Sequence, residues 1–467
     1  MNISFHGAAQ TVTGSKHLIE TAKGKKVLLD CGLFQNKASD NDTLNRNLGF
    51  IPAEIDYMIL SHAHMDHSGL IPFLVKSGYT GPIYCTAATL DLCKIMLADS
   101  SHIQENDISY VNKRRKKHGQ TLLEPLYELE DVNFCIKQFE TVKLDEWNKI
   151  DDAIRFMLTD AGHILGSTCV NLEFNEPDGL KKIFFSGDVG RYTDIILREP
   201  QVFPQADVII CESTYGDRLH ETSEDAESRL LKVVLATCVD RKGKLIIPAF
   251  SLGRTQEVVY ALDRLNTKGL MPKVPVYIDS PLAVNATAIM RKHTESFNAA
   301  IKEYMKKDSD PFGYDQVHYI TEVEESKALN NRPEPCIIIS ASGMMEAGRI
   351  KHHLKNNISD EKNTILIVGY VPTGSLGGKL IEGFKEVNIF GKPYQVNAHI
   401  EVIDSYSAHA DYNELLRFLS CQNAALVKQF FIVHGEPQAQ TTFKGKLEIA
   451  GFKNITIPAL GESFEIK

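Results

Sequence analysis

Three histidines and one aspartate fall within six consecutive residues of this chain: His62, His64, Asp66 and His67, in the run Ser61-His62-Ala63-His64-Met65-Asp66-His67. Imidazole and carboxylate are the donors that zinc and similar borderline metals take. The apolar residues 57–61 lead into the run and read as a strand. Side chains two apart on an extended segment share a face, so His62 and His64 can reach one ion. Asp66 and His67 fall in the turn that follows and can face a second ion. A solvated surface cluster is the plain alternative, but it would end a buried strand in unpaired polar groups, which is costly. Closing two sites takes further ligands from elsewhere. Three polar residues stand beside glycine at the carboxyl ends of apparent strands: His163 in Gly162-His163, Asp188 in Gly187-Asp188, and His434 in His434-Gly435.

The elements that must position these residues fall into three stretches. The first is strand-rich, with strands expected at 1–4, 17–21, 26–30, 57–61, 82–85, 153–159, 169–174 and 182–186, and a helix at 68–76. From about Ala206 the pattern alternates. Strands are expected at 208–212, 244–248, 274–279, 336–340 and 364–368, and helices at 224–238, 254–266, 281–293 and 346–356. Such alternation predicts a mostly parallel sheet covered by helices. After Pro393 strand character returns at 395–403 and 429–433, with a helix over 412–419 between them. No internal repeat or low-complexity linker interrupts the chain.

Composition bounds the function. With 467 residues, 43% hydrophobic and 24% charged, the chain is an ordinary globular protein large enough for more than one domain. No run of 18 apolar residues occurs, so no membrane span is expected. The first residues, MNISFHGAAQ, lack the pattern of a secretory signal. The 9 cysteines are scattered singletons with no Cys-x-x-Cys pair, which predicts reduced thiols and a cytoplasmic location. A net charge of -9 argues against a protein that coats nucleic acid nonspecifically.

The ordered series His-x-His-x-Asp-His, Gly-His, Gly-Asp and a late His-Gly resembles the motif series of the metallo-β-lactamase superfamily. The resemblance implies one zinc on His62, His64 and His163, a second on Asp66, His67 and His434, and Asp188 bridging the two Zn2+. Asp30, in Leu29-Asp30-Cys31-Gly32, matches the aspartate that steadies the histidine loop. Three further runs narrow the resemblance. Cys211-Glu212-Ser213-Thr214-Tyr215-Gly216, Ser405-Tyr406-Ser407-Ala408-His409-Ala410-Asp411-Tyr412 and Val433-His434-Gly435-Glu436 are similar to motifs A, B and C of the β-CASP nucleases. The similarity extends through Pro248–Arg254, Asp279-Ser280-Pro281 and Ser340–Met345, nearly the whole chain. It implies an α/β protein: an αββα metallo-β-lactamase sandwich with an inserted Rossmann-like β-CASP domain. The corresponding spans are 1–205, 206–392 and 393–467, with the active site expected in a cleft between the two domains. RNA-cutting members of that group tend to carry histidine in motif C, as at His434, which implies an RNA substrate, single-stranded for choice. A homodimer is common in the group and is the candidate assembly.

The expected reaction is hydrolysis of an RNA phosphodiester to 5′-phosphate and 3′-hydroxyl ends, in processing or decay. Asp66 would orient the attacking oxygen, and His409, oriented by Glu212, would protonate the leaving 3′ oxygen. Candidate substrate contacts are Arg254, Ser340, Ser342 and Gly343. Small residues at a helix start suit a phosphate, and a plain helix cap explains them equally. The run around Gly374–Gly378 is ambiguous in the same way. Lys113-Arg114-Arg115-Lys116-Lys117-His118 is the one strong basic run, either a solvated helix face or a strand-guiding patch. A zinc hydrolase of small phosphodiesters or thioesters shares the zinc core but needs neither the insertion nor Glu212 and His409. A nuclease that also acts on DNA is the other alternative, and endo- and exonuclease modes read alike.

Overall fold

The computed structural model describes residues 1–35, 41–220, 226–369, 371, 374–403 and 408–467. The chain forms two compact units. The first comprises Met1–Tyr192, Arg198–Leu219 and His409–Lys467; the second comprises Thr193–Leu197 and His220–Ala408. The boundaries expected at Ala206 and Pro393 fall shortly before the main changeovers. Val208–Cys211 pairs within a sheet of the first unit, and His399–Ile403 pairs within the sheet of the second.

The first unit holds two seven-stranded sheets. One runs in the order Ser463–Glu465, Asn2–Phe5, His17–Glu20, Lys26–Leu29, Tyr57–Ile59, Ile83–Cys85, Phe139–Thr141. The other runs Ile455–Thr456, Gln429–Ile432, Val208–Cys211, Gly179–Phe185, Thr168–Glu176, Ile154–Asp160, Asn148–Lys149. Period-2 alternation decides which side chains meet between them. Ile3, Phe5, Ile19, Val27 and Leu29 of one sheet join Phe156, Leu158, Val170, Leu172, Phe185, Ile210 and Phe431 of the other in one core cluster. The opposite face of the second sheet, through Phe184, Ile209, Phe430 and Ile432, packs on Leu415 and Phe418 of helix Tyr412–Leu419 and on Phe443 and Leu447 of helix Pro437–Ile449. Val208–Cys211 is buried at every residue, as a strand covered on both faces requires. The parallel strands of the first sheet are joined by crossovers that contain helices Ile71–Lys76, Ala87–Lys117 and Leu129–Cys135. The result is a helix–sheet–sheet–helix sandwich.

The second unit is built on six strands, ordered Val317–Ile320, Val276–Asp279, Ile337–Ser340, Leu245–Pro248, Thr364–Val368, His399–Ile403. Every pairing in it is parallel. Alternating strands and helices give this arrangement because parallel neighbours need a crossover, and helices supply it.

Local differences from the sequence reading have physical causes. The helix expected at 68–76 is two pieces, Met65–Ser68 and Ile71–Lys76, with Pro72 in the first turn of the second. Asp66 and His67 therefore sit on a helical turn. The helix expected from 346 starts at Ile350. The strand expected at 395–403 divides into Lys392–Gln395 and His399–Ile403. The helix expected at 224–238 is seen as Ala226–Val234 followed by a wider turn over Leu235–Asp240; residues 224 and 225 lie outside the described residues. Among the described residues no helix is long and apolar enough to cross a membrane.

Candidate metal centre

The second sheet of the first unit aligns three strand ends. Gly179–Phe185, Val208–Cys211 and Gln429–Ile432 run parallel, in register Phe185↔Ile210 and Cys211↔Ile432. Their carboxyl ends deliver Asp188, Glu212 and His434 to one place, although the last comes from far along the chain. The facing sheet delivers His62, His64, Asp66 and His67 just past Tyr57–Ile59. The loop after Ile154–Asp160 brings His163, whose backbone N–H donates to Ser167 Oγ at 3.0 Å.

The donor atoms converge in two groups. His62 Nε2 lies 3.2 Å from His64 Nδ1, which lies 3.2 Å from His163 Nε2. Asp188 Oδ2 is 3.4 Å from His62 Nε2 and 3.5 Å from His163 Nε2. In the second group His67 Nε2 is 3.1 Å from His434 Nε2, and Asp66 Oδ2 is 3.4 Å from the same nitrogen. Asp188 Oδ1 belongs to this side, 3.2 Å from His67 Nε2. Two nitrogens on a tetrahedral ion with bonds of about 2.0–2.1 Å stand about 3.3 Å apart. The spacings fit that geometry.

The hydrogen bonds around the rings make the same point. Asp30 Oδ2 accepts from His67 Nδ1 at 2.7 Å and from Ser61 Oγ at 2.9 Å, and Asp30 Oδ1 accepts from Ser61 N at 2.8 Å. The Ser61 hydroxyl has spent its proton on Asp30, so it accepts from His62 Nδ1 at 3.0 Å. Thr214 Oγ1 donates to His434 O at 3.2 Å and so accepts from His434 Nδ1 at 3.0 Å. These bonds turn the Nε2 atoms of His62, His67 and His434 inward. His67 Nε2 and His434 Nε2 face each other 3.1 Å apart, a spacing that needs a proton or a metal ion between them. Asp188 Oδ1 is buried and accepts no hydrogen bond, a further orphan that an ion would satisfy. Burial pushes the His62 imidazole down to about 3 and the His64 imidazole down to about 4, which keeps both in the neutral form that binds metal. The residues present fit a pair of bound metal ions.

Two glycines let the loops close this tightly. A Cβ on Gly32 would stand 1.6 Å from Asp66 O, and one on Gly187, whose φ is +52°, would stand 2.7 Å from Ser61 Cβ.

His409 lies beside the cluster. Its Nδ1 is 3.2 Å from both Glu212 oxygens and 3.9 Å from Asp188 Oδ2. Glu212 is fully buried and held by Val189 N, which donates to Oε1 at 2.6 Å. Burial alone would lower the His409 imidazole, but the Glu212 and Asp188 carboxylates outweigh it and raise it to about 9. The side chains of Asp66 and His409 remain about one-fifth exposed, 21% and 20%, while those of His62, His163 and Asp188 are closed off. The open side of the site is therefore the side of Asp66 and His409.

The candidate substrate residues lie in the second unit, and each is engaged there. Arg254 is buried and paired with Glu257. Ser340 Oγ donates to Asp279 O at 2.8 Å, and Ser342 Oγ donates to Ala347 O at 3.3 Å. A Cβ on Gly343 would meet the Phe250 ring at 2.9 Å. Because the next helix starts only at Ile350, Ser340, Ser342 and Gly343 do not form its N-terminus. Ser375 Oγ accepts from Gly378 N at 3.0 Å, an ordinary cap for Leu376–Ile381; Thr373 and residues 405–407 lie outside the described residues. Sequence reasoning missed Ser61 and Thr214, the hydroxyls that orient His62 and His434. Their adjacency to ligands was the available signal.

Residues 18–208 match the metallo-beta-lactamase superfamily domain, 255–380 the Beta-Casp domain, and 393–458 the Zn-dependent metallo-hydrolase RNA specificity domain. A ribonuclease of Thermus thermophilus is 32% identical over 100% of both chains. The chain belongs to the β-CASP group of the metallo-β-lactamase superfamily. An RNase J-like protein of Methanocaldococcus jannaschii is 32% identical over 94% of each chain. The transcription termination factor FttA of Methanosarcina mazei is 33% identical over 94% of this chain and 67% of its own length. Membership makes the chain a metal-dependent hydrolase of a nuclease family.

Proposed function

We propose that this β-CASP protein hydrolyses phosphodiester bonds of single-stranded RNA with two zinc ions, leaving 5′-phosphate and 3′-hydroxyl ends. The convergence of His67 Nε2, His434 Nε2 and the unbonded Asp188 Oδ1 on one buried point carries the reading. His62, His64 and His163 would hold one ion, Asp66, His67 and His434 the other, and Asp188 both. When bound, the ions supply a Lewis-acidic centre that acidifies water and neutralises phosphoryl charge. Asp30, Ser61 and Thr214 fix the ring orientations. Asp66, on the open side, orients the attacking water, whose proton passes to solvent. Protonated His409 donates from Nε2 to the 3′ oxygen as the phosphorus–oxygen bond breaks, and Glu212 holds that imidazolium in place.

RNA as substrate draws on three supports. The C-terminal residues match an RNA specificity domain, two relatives are named for ribonuclease activity, and motif C carries His434. The test is incubation of zinc-loaded protein with 5′-labelled single-stranded RNA, matched DNA and bis(p-nitrophenyl) phosphate. Cleavage of RNA to fragments bearing 5′-phosphate and 3′-hydroxyl ends, abolished in His62→Ala, is the expected result. Hydrolysis of the small diester alone, with RNA intact, would overturn it.

A further inference from the structure

The helix Ala87–Lys117 continues far beyond what it packs against. Its buried residues, Ala88, Thr89, Leu92, Cys93, Leu97 and Ser101, all lie in its first half. From His102 to Lys117 no residue is buried, a stretch roughly 24 Å long at 1.5 Å per residue. The returning chain braces this arm. Asn112 Nδ2 donates to Leu123 O, and Leu123 N donates to Asn112 Oδ1, both at 2.9 Å. Arg115 Nε donates to Thr121 O at 2.6 Å. The arm is a built element, not a fraying end.

Its outer face has a definite composition. Tyr110, Lys113, Arg114 and Lys117 stand at i, i+3, i+4 and i+7, so they form one stripe. All four are exposed, Tyr110 to 79%. Among the described residues none of these three cations, nor Lys116 beside them, has an acidic partner. Cations in a last turn complement the helix dipole. That accounts for their sign but not for a ring held in water one turn earlier on the same stripe. Unpaired cations beside an exposed ring suit a single-stranded nucleic acid, whose phosphates take the charges and whose bases stack on the ring. On a chain of net charge -9 this patch has the opposite sign to the whole, so it focuses a polyanion locally.

We propose that this stripe is an RNA-docking track, with Tyr110 stacking a base and Lys113, Arg114 and Lys117 holding phosphates. The inference rests on the RNA reading above. It concerns residues outside 393–458, the part that matches an RNA specificity domain. A second copy of the chain suits the stripe poorly, because a two-fold contact would set like charges against each other.

The test is an anisotropy titration of fluorescein-labelled single-stranded phosphorothioate RNA, across a series of salt concentrations. The proteins compared are wild type, the triple variant K113A/R114A/K117A, and Tyr110→Ala. The triple variant is expected to bind at least about tenfold more weakly, with the log–log salt slope smaller by about 2. Tyr110→Ala is expected to lose about fivefold with the slope unchanged. The variant K113R/K117R should bind as wild type, and zinc content and bis(p-nitrophenyl) phosphate hydrolysis should be unaltered throughout. Equal affinity and slope in wild type and triple variant would overturn the proposal. So would loss of a dimer in sedimentation while RNA affinity stays intact. Failure of the RNA-hydrolysis reading appears elsewhere, as wild-type protein that cuts no RNA.

Discussion

Replacing His409 by alanine separates proton transfer from metal binding, because its Nδ1 faces Glu212 while six other side chains and Asp188 supply the converging donors. The variant His409→Ala is expected to lose about 10²–10⁴-fold in kcat on RNA, with wild-type zinc content by mass spectrometry. Zinc lost along with turnover would make His409 a ligand rather than an acid. A second residue-scale prediction concerns Asp263, fully buried in the second unit. Its Oδ2 accepts from Tyr304 Oη at 2.7 Å and its Oδ1 accepts no hydrogen bond. Burial raises this carboxyl to about 6. A carboxyl whose folded pKa is raised favours the folded state when protonated, so its contribution is complete below about 4 and is lost as pH rises through about 6. Asp263→Asn should therefore raise the melting temperature at pH 8 relative to wild type and change it little at pH 4. An equal change at both pH values would contradict the assignment.

At the scale of elements, strand ends do the positioning. Helix Tyr412–Leu419 fixes the segment that carries His409. Asp411 caps it by accepting from Asn413 N at 2.9 Å and Glu414 N at 3.0 Å, and Glu414 Oε1 accepts from Tyr192 N at 3.0 Å. Asp411→Ala should cost about 1 kcal/mol of stability and depress turnover on RNA more than zinc content. Thermal melts and metal analysis together check it. The strands that present His62, His163, Asp188, Glu212 and His434 were legible as apolar runs ending in polar residues, with glycine beside His163, Asp188 and His434. Less of the helical layer was. The helix Ala87–Lys117 mixes buried Leu92 and Leu97 with exposed Ile103 and Tyr110, so no single apolar face marks it. The short strand Val317–Ile320 is only partly buried and pairs at a sheet edge, which weakens its pattern. The start of the helix at Ile350 was misplaced because Glu346 is helix-forming by type, whereas its Oε1 accepts from Leu376 N at 2.8 Å.

At the scale of the molecule, the donor set gathers residues from the start, middle and end of the chain into the first unit. Bound metal is then a clip across three segments, and its binding energy is stability of that unit. Calorimetry with and without chelator should show two transitions, of which only one moves down when metal is removed. A common shift of both would mean that the units unfold together. The motif series carried this long-range closure in the sequence. The partners of each ring nitrogen could not be read there, because they depend on which hydroxyl proton points where.

Native mass spectrometry of the purified chain, counting zinc per molecule in wild type and in Asp188→Ala, tests the account most directly. Two ions in wild type, with at least one lost when the shared carboxylate is removed, is the expected result. A single ion in wild type, or two ions undisturbed in Asp188→Ala, would contradict the bridged pair on which the proposed chemistry depends.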